Sequence, residues 1–323
     1  MVCRSTGRRT WRSASSAFFF CRPPSDTFAY GGQAVIEGVM MRGPDAFAVA
    51  VRRADGSIAV NRQPLPSWAV RRGPAGWPLV RGVLALLESL VLGVQVLTYS
   101  AEVAADEEGE TLGREEIALA LLLAVGLAVG LFVVIPAFLG HWSATRMGPW
   151  GQNLLEGVLR LVIFLGYLGG ISRLAEVRTL FAYHGAEHKV IHAWESGAGL
   201  DPAAAGSFPR LHPRCGTSFV LLVMLLAVLL YSVVPVSGLG SRIAVRVGLM
   251  PALAGISYEV LRWSARAKNR WPVRLLIAPG LGLQKMTTRE PDRDQLQVAA
   301  VALEAVLAKQ GESAGEEVSR GVG

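Results

Sequence analysis

The stretch IALALLLAVGLAVGLFVVIPAFLG, residues 117–140, runs without a single charged side chain. A bilayer core takes roughly 17–25 consecutive apolar residues as a helix, so this run predicts a membrane span. Working outward, Leu154–Ile171, Phe219–Gly238 and Ile243–Trp263 have similar length and character. Pro136, Pro235 and Pro251 fall within these runs, and prolines are tolerated in membrane helices. The whole chain agrees: 51% of residues are hydrophobic and only 18% are charged, against about a quarter charged in soluble domains. The expected fold class is a mostly α membrane protein, a bundle of about four transmembrane helices. It is joined by an amphipathic, interfacial helix and a small cytoplasmic β-hairpin element.

The net charge of +7 does not point to nucleic acid. The basic residues flank the apolar runs, and no aromatic-basic platform or recognition helix accompanies them. Basic flanks orient spans instead. With 79–100 outside the count of spans, 1–78 holds eleven Lys/Arg, 172–217 five and 262–274 five, all on one side. Arg146, Arg242 and Arg246 fall on the other side. This asymmetry predicts a multi-pass protein of the cell membrane with both termini cytoplasmic. In 79–100, Arg81, Glu88 and Gln95 recur every seven residues on one helix face, facing a partner helix.

Five regions follow. Residues 1–26 are a disordered or over-extended N-terminal segment; the apolar run Ala17–Phe20 is too short for a secretory signal. Residues 27–78 form the small β unit. Phe47–Val51 alternates in size, Asp55-Gly56 is a hairpin turn and Ser57–Val60 returns. The glycines of 31–43 predict a tightly turned loop, one without the Gly-Lys-Ser/Thr of a phosphate-binding loop. Residues 79–283 are the helical membrane domain with a cytoplasmic loop at 172–217. Residues 284–311 hold an amphipathic helix starting near Pro291, with Leu296, Ala299, Leu303 and Leu307 on its apolar face. Residues 312–323 are a disordered tail. Three cysteines without regular spacing give no disulfide framework.

Four of the five histidines fall within 184–212. His184-Gly185-Ala186-Glu187-His188 places two imidazoles one helical turn apart on one face, with a carboxylate on a neighbouring face. This H-x-x-E-H order is the inverse of the zinc-protease motif, in which the Glu activates water. His212-Pro213-Arg214-Cys215 offers two more donors at a spacing usual for a turn. The candidate metal ligands are His184, His188, His212 and Cys215, with Glu187 as the catalytic residue and His192 in reserve. The cofactor is a divalent metal ion, zinc first. Plainer alternatives remain: His184 and His188 as surface histidines at a helix end, and Cys215 as a small buried hydrophobe capping the next span. Among the acids, Glu259 pairs either with Arg262 or with a functional partner, and Glu156 pairs with Arg160 at i,i+4.

The segments Gly31-Gly32-Gln33-Ala34-Val35-Ile36-Glu37-Gly38-Val39-Met40-Met41-Arg42, His184–Lys189, His212–Phe219 and Thr288-Arg289-Glu290-Pro291 resemble the YqhQ family of bacterial membrane proteins. The resemblance runs from about Phe28 to the final helix. It implies a predicted metal-dependent enzyme and supports His184, Glu187, His188, His212 and Cys215, though not His192. The expected function is a membrane-embedded metal-dependent hydrolase at the cytoplasmic face. A metal-stapled scaffold or assembly factor is the alternative, and a transporter is disfavoured. Expected partners are the lipid bilayer and either another membrane protein or a second copy, without nucleic acid.

Overall fold

The computed structural model describes residues 30–65, 76–105, 113–142, 147–234, 236, 238–266 and 271–308. The expectations for 1–26 and 312–323 lie outside these residues. Two parts make up the fold: an antiparallel sheet clasped between helices, and a set of apolar helices beside it.

The sheet is a four-stranded meander of β1 (Gly31–Val35), β2 (Gly38–Arg42), β3 (Ala46–Arg52) and β4 (Ile58–Pro64), in that spatial order. The expected hairpin is β3–β4, turning through Gly56 at φ +83°, a conformation glycine adopts at no steric cost. The glycine-rich stretch expected as a turned loop is instead the β1–β2 hairpin. Its short Ile36-Glu37 turn puts Glu37 at φ +48°. Glycine masked the strand signal there, because it carries no side chain to alternate.

Alternation on the strands divides the core. Val35, Met40, Phe47, Val49 and Val51 face α1 (Val80–Ala104), meeting Leu92 and Val96. Val39, Met41, Ala48 and Ala50 face α5 (Ala175–Glu195) and α11 (Arg293–Leu307), meeting Tyr183, Ala186, Ala299 and Leu303. The sheet is therefore covered on both faces. Helix α11 begins two residues after Pro291, with Asp292 as a capping-box N-cap to Gln295. Its apolar face is the expected one, but it packs on the sheet rather than lying free at an interface.

Among the described residues three helices are long and apolar enough to cross a membrane, Val80–Ala104, Glu115–Trp142 and Trp150–Ile171, or four if a bent pair counts as one span. The second comprises α2 (Arg114–Val129), a π-helical turn (Gly130–Val134) and α3 (Ile135–Trp142); the third lies within α4 (Pro149–Ile171). These two match the expected runs 117–140 and 154–171. The other two differ. Helix α7 (Gly216–Ser232) ends early, since Val234 precedes Pro235 and such residues disfavour helix. The run 243–263 divides into α8 (Leu239–Gly248) and α9 (Met250–Arg266), bent by 41°. Pro251, with no N–H to donate, sits at the break. The sequence reading also missed α10 (Trp271–Thr287), whose Pro272, Pro279, Gly280 and Gly282 blur its period. A short α6 (Pro202–Ala205) sits between α5 and α7.

Of the α1 charges expected to face a partner helix, Arg81 does so, whereas Glu88 faces a strand. Glu88 pairs with Arg42 of β2, and Arg81 with Glu259 of α9 at 2.7 Å. Glu259 therefore reaches Arg81. Gly82 and Gly255 let α1 and α9 touch backbone to backbone.

Candidate functional site

Helix α5 carries the histidines where it leaves the apolar helices and enters the sheet layer. Two segments hold its imidazoles from outside. His184 donates Nδ1–H to the Thr287 carbonyl at 2.8 Å, and His188 donates Nδ1–H to the Arg210 carbonyl at 2.6 Å. A carbonyl accepts only, so each ring carries its proton on Nδ1 and keeps a lone pair on Nε2. His184 Nε2 lies 3.1 Å from Cys215 Sγ. One donor atom each from His184, His188 and Cys215 falls within 4.8 Å of the others. Tetrahedral zinc at ordinary bond lengths separates N and S ligands by about 3.6 Å, so the donors would close around an ion from a spacing of 4.8 Å or less. Two imidazoles and a thiol suit zinc better than a hard cation.

His212 is held elsewhere. Its Nδ1 accepts the Arg214 N–H at 3.3 Å, and its Nε2 faces Glu195 Oε2 at 3.9 Å. It stacks obliquely on His192, centroids 4.6 Å apart. His192 itself donates Nε2–H to the Leu211 carbonyl at 3.0 Å. Of the four expected ligands, the structure brings three together and turns His212 into a neighbouring polar string. There, burial above all pushes the His212 imidazole down to about 4. Burial works against ionised Glu195, but His212 and the Arg214 guanidinium outweigh it and hold that carboxyl at about 2. Cys215 is also the N-cap of α7, its Sγ accepting from Thr217 N–H at 3.5 Å. The capping alternative thus coexists with the cluster.

Glu187 is 5% exposed and packs against Gly32 of β1. A Cβ on Gly32 would come within 3.1 Å of the carboxyl, so glycine is what admits it. Burial raises the Glu187 carboxyl to about 7, while His184 and the Gly32 N–H pull the other way. His184, Glu187, His188, Cys215 and β1 line one open cleft of about 520 Å³, within the 300–1,000 Å³ typical of small-molecule sites. Arg42, Arg214, Leu92 and Phe181 complete a lining with both charged and apolar faces.

Several positioning residues escaped the sequence reading. Gln284 clamps His212 from both sides, its Oε1 accepting the His212 N–H and its Nε2 donating to the His212 carbonyl, both at 2.8 Å. Gly185 lies against the Arg289 carbonyl, where any side chain would collide. Buried Lys189 donates to the Gly206 carbonyl at 2.8 Å and pairs with Glu290. Tyr183 OH donates to Glu37 at 3.2 Å. The signal that could have found them is the set of four conspicuous segments, which the fold gathers around one cleft.

Residues 77–309 match the family described as "Protein of unknown function (DUF1385)". Over 293 residues the chain is 34% identical to "Uncharacterized protein YqhQ" of Bacillus subtilis (strain 168), covering 86% of this chain and 92% of that one. The chain belongs to the YqhQ family. No solved structure matches it. The family match spans α5, the Cys215 turn and the 284–291 strap, so the histidine cluster lies inside it.

Proposed function

We propose that this YqhQ-family protein is a membrane-embedded, metal-dependent hydrolase working at the cytoplasmic face. His184, His188 and Cys215 bind a divalent ion, most simply zinc, and a fourth position stays open for substrate chemistry. When bound, such an ion supplies a Lewis acid able to bring the pKa of water toward neutrality. Thr287 and Arg210 orient the two imidazoles through their carbonyls. Glu187, buried beside the cleft, takes the proton as general base; a carboxyl near 7 is poised for that work. The observation that carries the reading is that one donor atom each of His184, His188 and Cys215 lies within 4.8 Å of the others, while carbonyls hold the Nδ1 side of both imidazoles.

Membrane insertion rests on a separate observation. Beyond its charged first turn helix α2 is apolar all round, yet Leu119, Leu122 and Leu123 are 56–69% exposed. Lipid is the medium that such a helix fits. With α1 packed on the sheet and not counted as a span, orientation follows the Lys/Arg asymmetry, with both termini and the cleft on the cytoplasmic side.

The staple alternative keeps one supporting observation: an ion held by these three residues would tie α5 to α7. Glu187→Gln separates the two. For a hydrolase, metal content and thermal stability stay at wild-type level while complementation of a deletion strain is lost. A Glu187→Gln protein that binds metal and complements fully would leave the staple reading in its place.

A further inference from the structure

At the far end of α4 from the cleft lies a second polar cluster. Glu156 is 1% exposed and meets three guanidinium groups. Arg160 reaches its Oε1 at 2.9 Å, Arg246 reaches both oxygens at 2.9 Å, and Arg242 lies 3.4 Å from Oε2. Asn153 Oδ1 accepts from Arg242 at 3.2 Å and from Arg246 at 2.9 Å. Tyr231 stacks beneath Arg246 at 4.4 Å and Arg160 at 5.5 Å. The π-helical turn also belongs here, because Phe132 gives its carbonyl to Arg160 Nε at 2.6 Å. Such turns in α-helices recur at functional sites.

The charges do not balance. Arginine stays protonated in proteins, so among the described residues three positive charges meet one carboxylate, leaving +2. Arg160, Arg242 and Arg246 are 7%, 3% and 1% exposed. Arg160 Nη1, Arg242 Nε and Arg246 Nη1 are buried without a hydrogen-bond partner among the described residues. Buried donors left unpaired are costly, and an uncompensated buried charge more so. Structural pairing would have matched the arginines with carboxylates.

We propose that Arg160, Arg242 and Arg246 form a binding site for a phosphate-type oxyanion, independent of the metal cleft. Guanidinium forks match the several oxygens of a phosphoryl group better than a spherical anion. Trp142 and Trp150 are 77% and 65% exposed, as befits residues at headgroup level, and the cluster lies inward of them on the same side. Glu156 lies about 9 Å along the helix from Trp150. The phosphoryl group is either free phosphate or the headgroup of an anionic phospholipid.

The test uses the full-length, delipidated protein in phosphate-free maltoside micelles, and in the same micelles containing phosphatidylglycerol. Thermal unfolding is followed with inorganic phosphate or with chloride at matched ionic strength. A rise in Tm with phosphate assigns the site to the free ion; a rise only with phosphatidylglycerol assigns it to a headgroup. In either case Arg246→Gln weakens the midpoint concentration by about tenfold or more, as loss of a charge-assisted hydrogen bond should. Arg242→Gln is the second variant should Arg246→Gln fail to fold. Equal melting in every condition would overturn the proposal. So would stabilisation that persists undiminished in the variants, since it would be a general salt or lipid effect.

Discussion

The two polar clusters bury similar amounts of chemistry and solve the burial problem in opposite ways. At the α5 cleft the groups are two imidazoles and a cysteine sulfur, each ring fixed by one backbone carbonyl, with His184 Nε2 turned toward the sulfur. At the far end of α4 the groups are permanent cations, with donors left over after one carboxylate is shared among them. The first arrangement presents acceptors and the second presents donors. Side chains of one kind alone do not close either set. The difference teaches that charge balance, more than burial, tells which ligand a buried cluster takes.

If the comparison is sound, the clusters also lie on opposite sides of a bilayer, and that is an all-or-none expectation. In a background lacking Cys3 and Cys21, Ala198→Cys should resist an impermeant thiol reagent in intact cells while Met147→Cys is labelled. Labelling at position 198 would place the cleft outside and break the topology.

The next effect is energetic. Glu156→Gln leaves three buried arginines without a carboxylate and should cost roughly 3–5 kcal/mol, a large share of a typical 5–15 kcal/mol stability. Denaturant midpoints would read this as a collapse of folded protein. A loss under about 1 kcal/mol would mean the arginines are solvated some other way.

How much of this was legible in sequence differs between the same two regions. His184, Glu187 and His188 fall within one helical turn, so their proximity could be read from spacing alone. Cys215 joins them through a turn that sequence could suggest but not place. His212 could not be excluded, because only the fold shows its Nδ1 bonded to Arg214. The arginine cluster was half visible: Glu156 and Arg160 pair at i,i+4 as expected. Arg242 and Arg246 had been read as flanks of a span, since a chain broken at Pro251 looks continuous to a hydropathy window. The sheet was underestimated for a similar local reason, glycines in β1 and β2 hiding the alternation that Phe47–Val51 displays.

A smaller effect separates the clusters by pH. His212 is held near 4 and Glu195 near 2. Unfolding would return the imidazole to about 6.5 and the carboxyl to about 4.3, so the unfolded chain binds more protons below each value. Stability at the cleft therefore falls as pH drops from about 6.5 to 4 through His212, and further toward 2 through Glu195. His212→Asn should flatten the upper limb of Tm against pH. A Tm that rises on acidification through that window would contradict the neutral, buried His212.

The central claim is the ion at His184, His188 and Cys215, and metal analysis joined to X-ray absorption on the purified full-length protein tests it most directly. The account predicts about one zinc per chain, with two nitrogens, one sulfur and one light atom as neighbours at about 2.0–2.3 Å. It also predicts that His184→Ala, His188→Ala and Cys215→Ser each remove most of the metal while His141→Ala removes none. Zinc at full stoichiometry in a variant lacking both His184 and His188, or no metal in wild-type protein supplied with zinc, would contradict it.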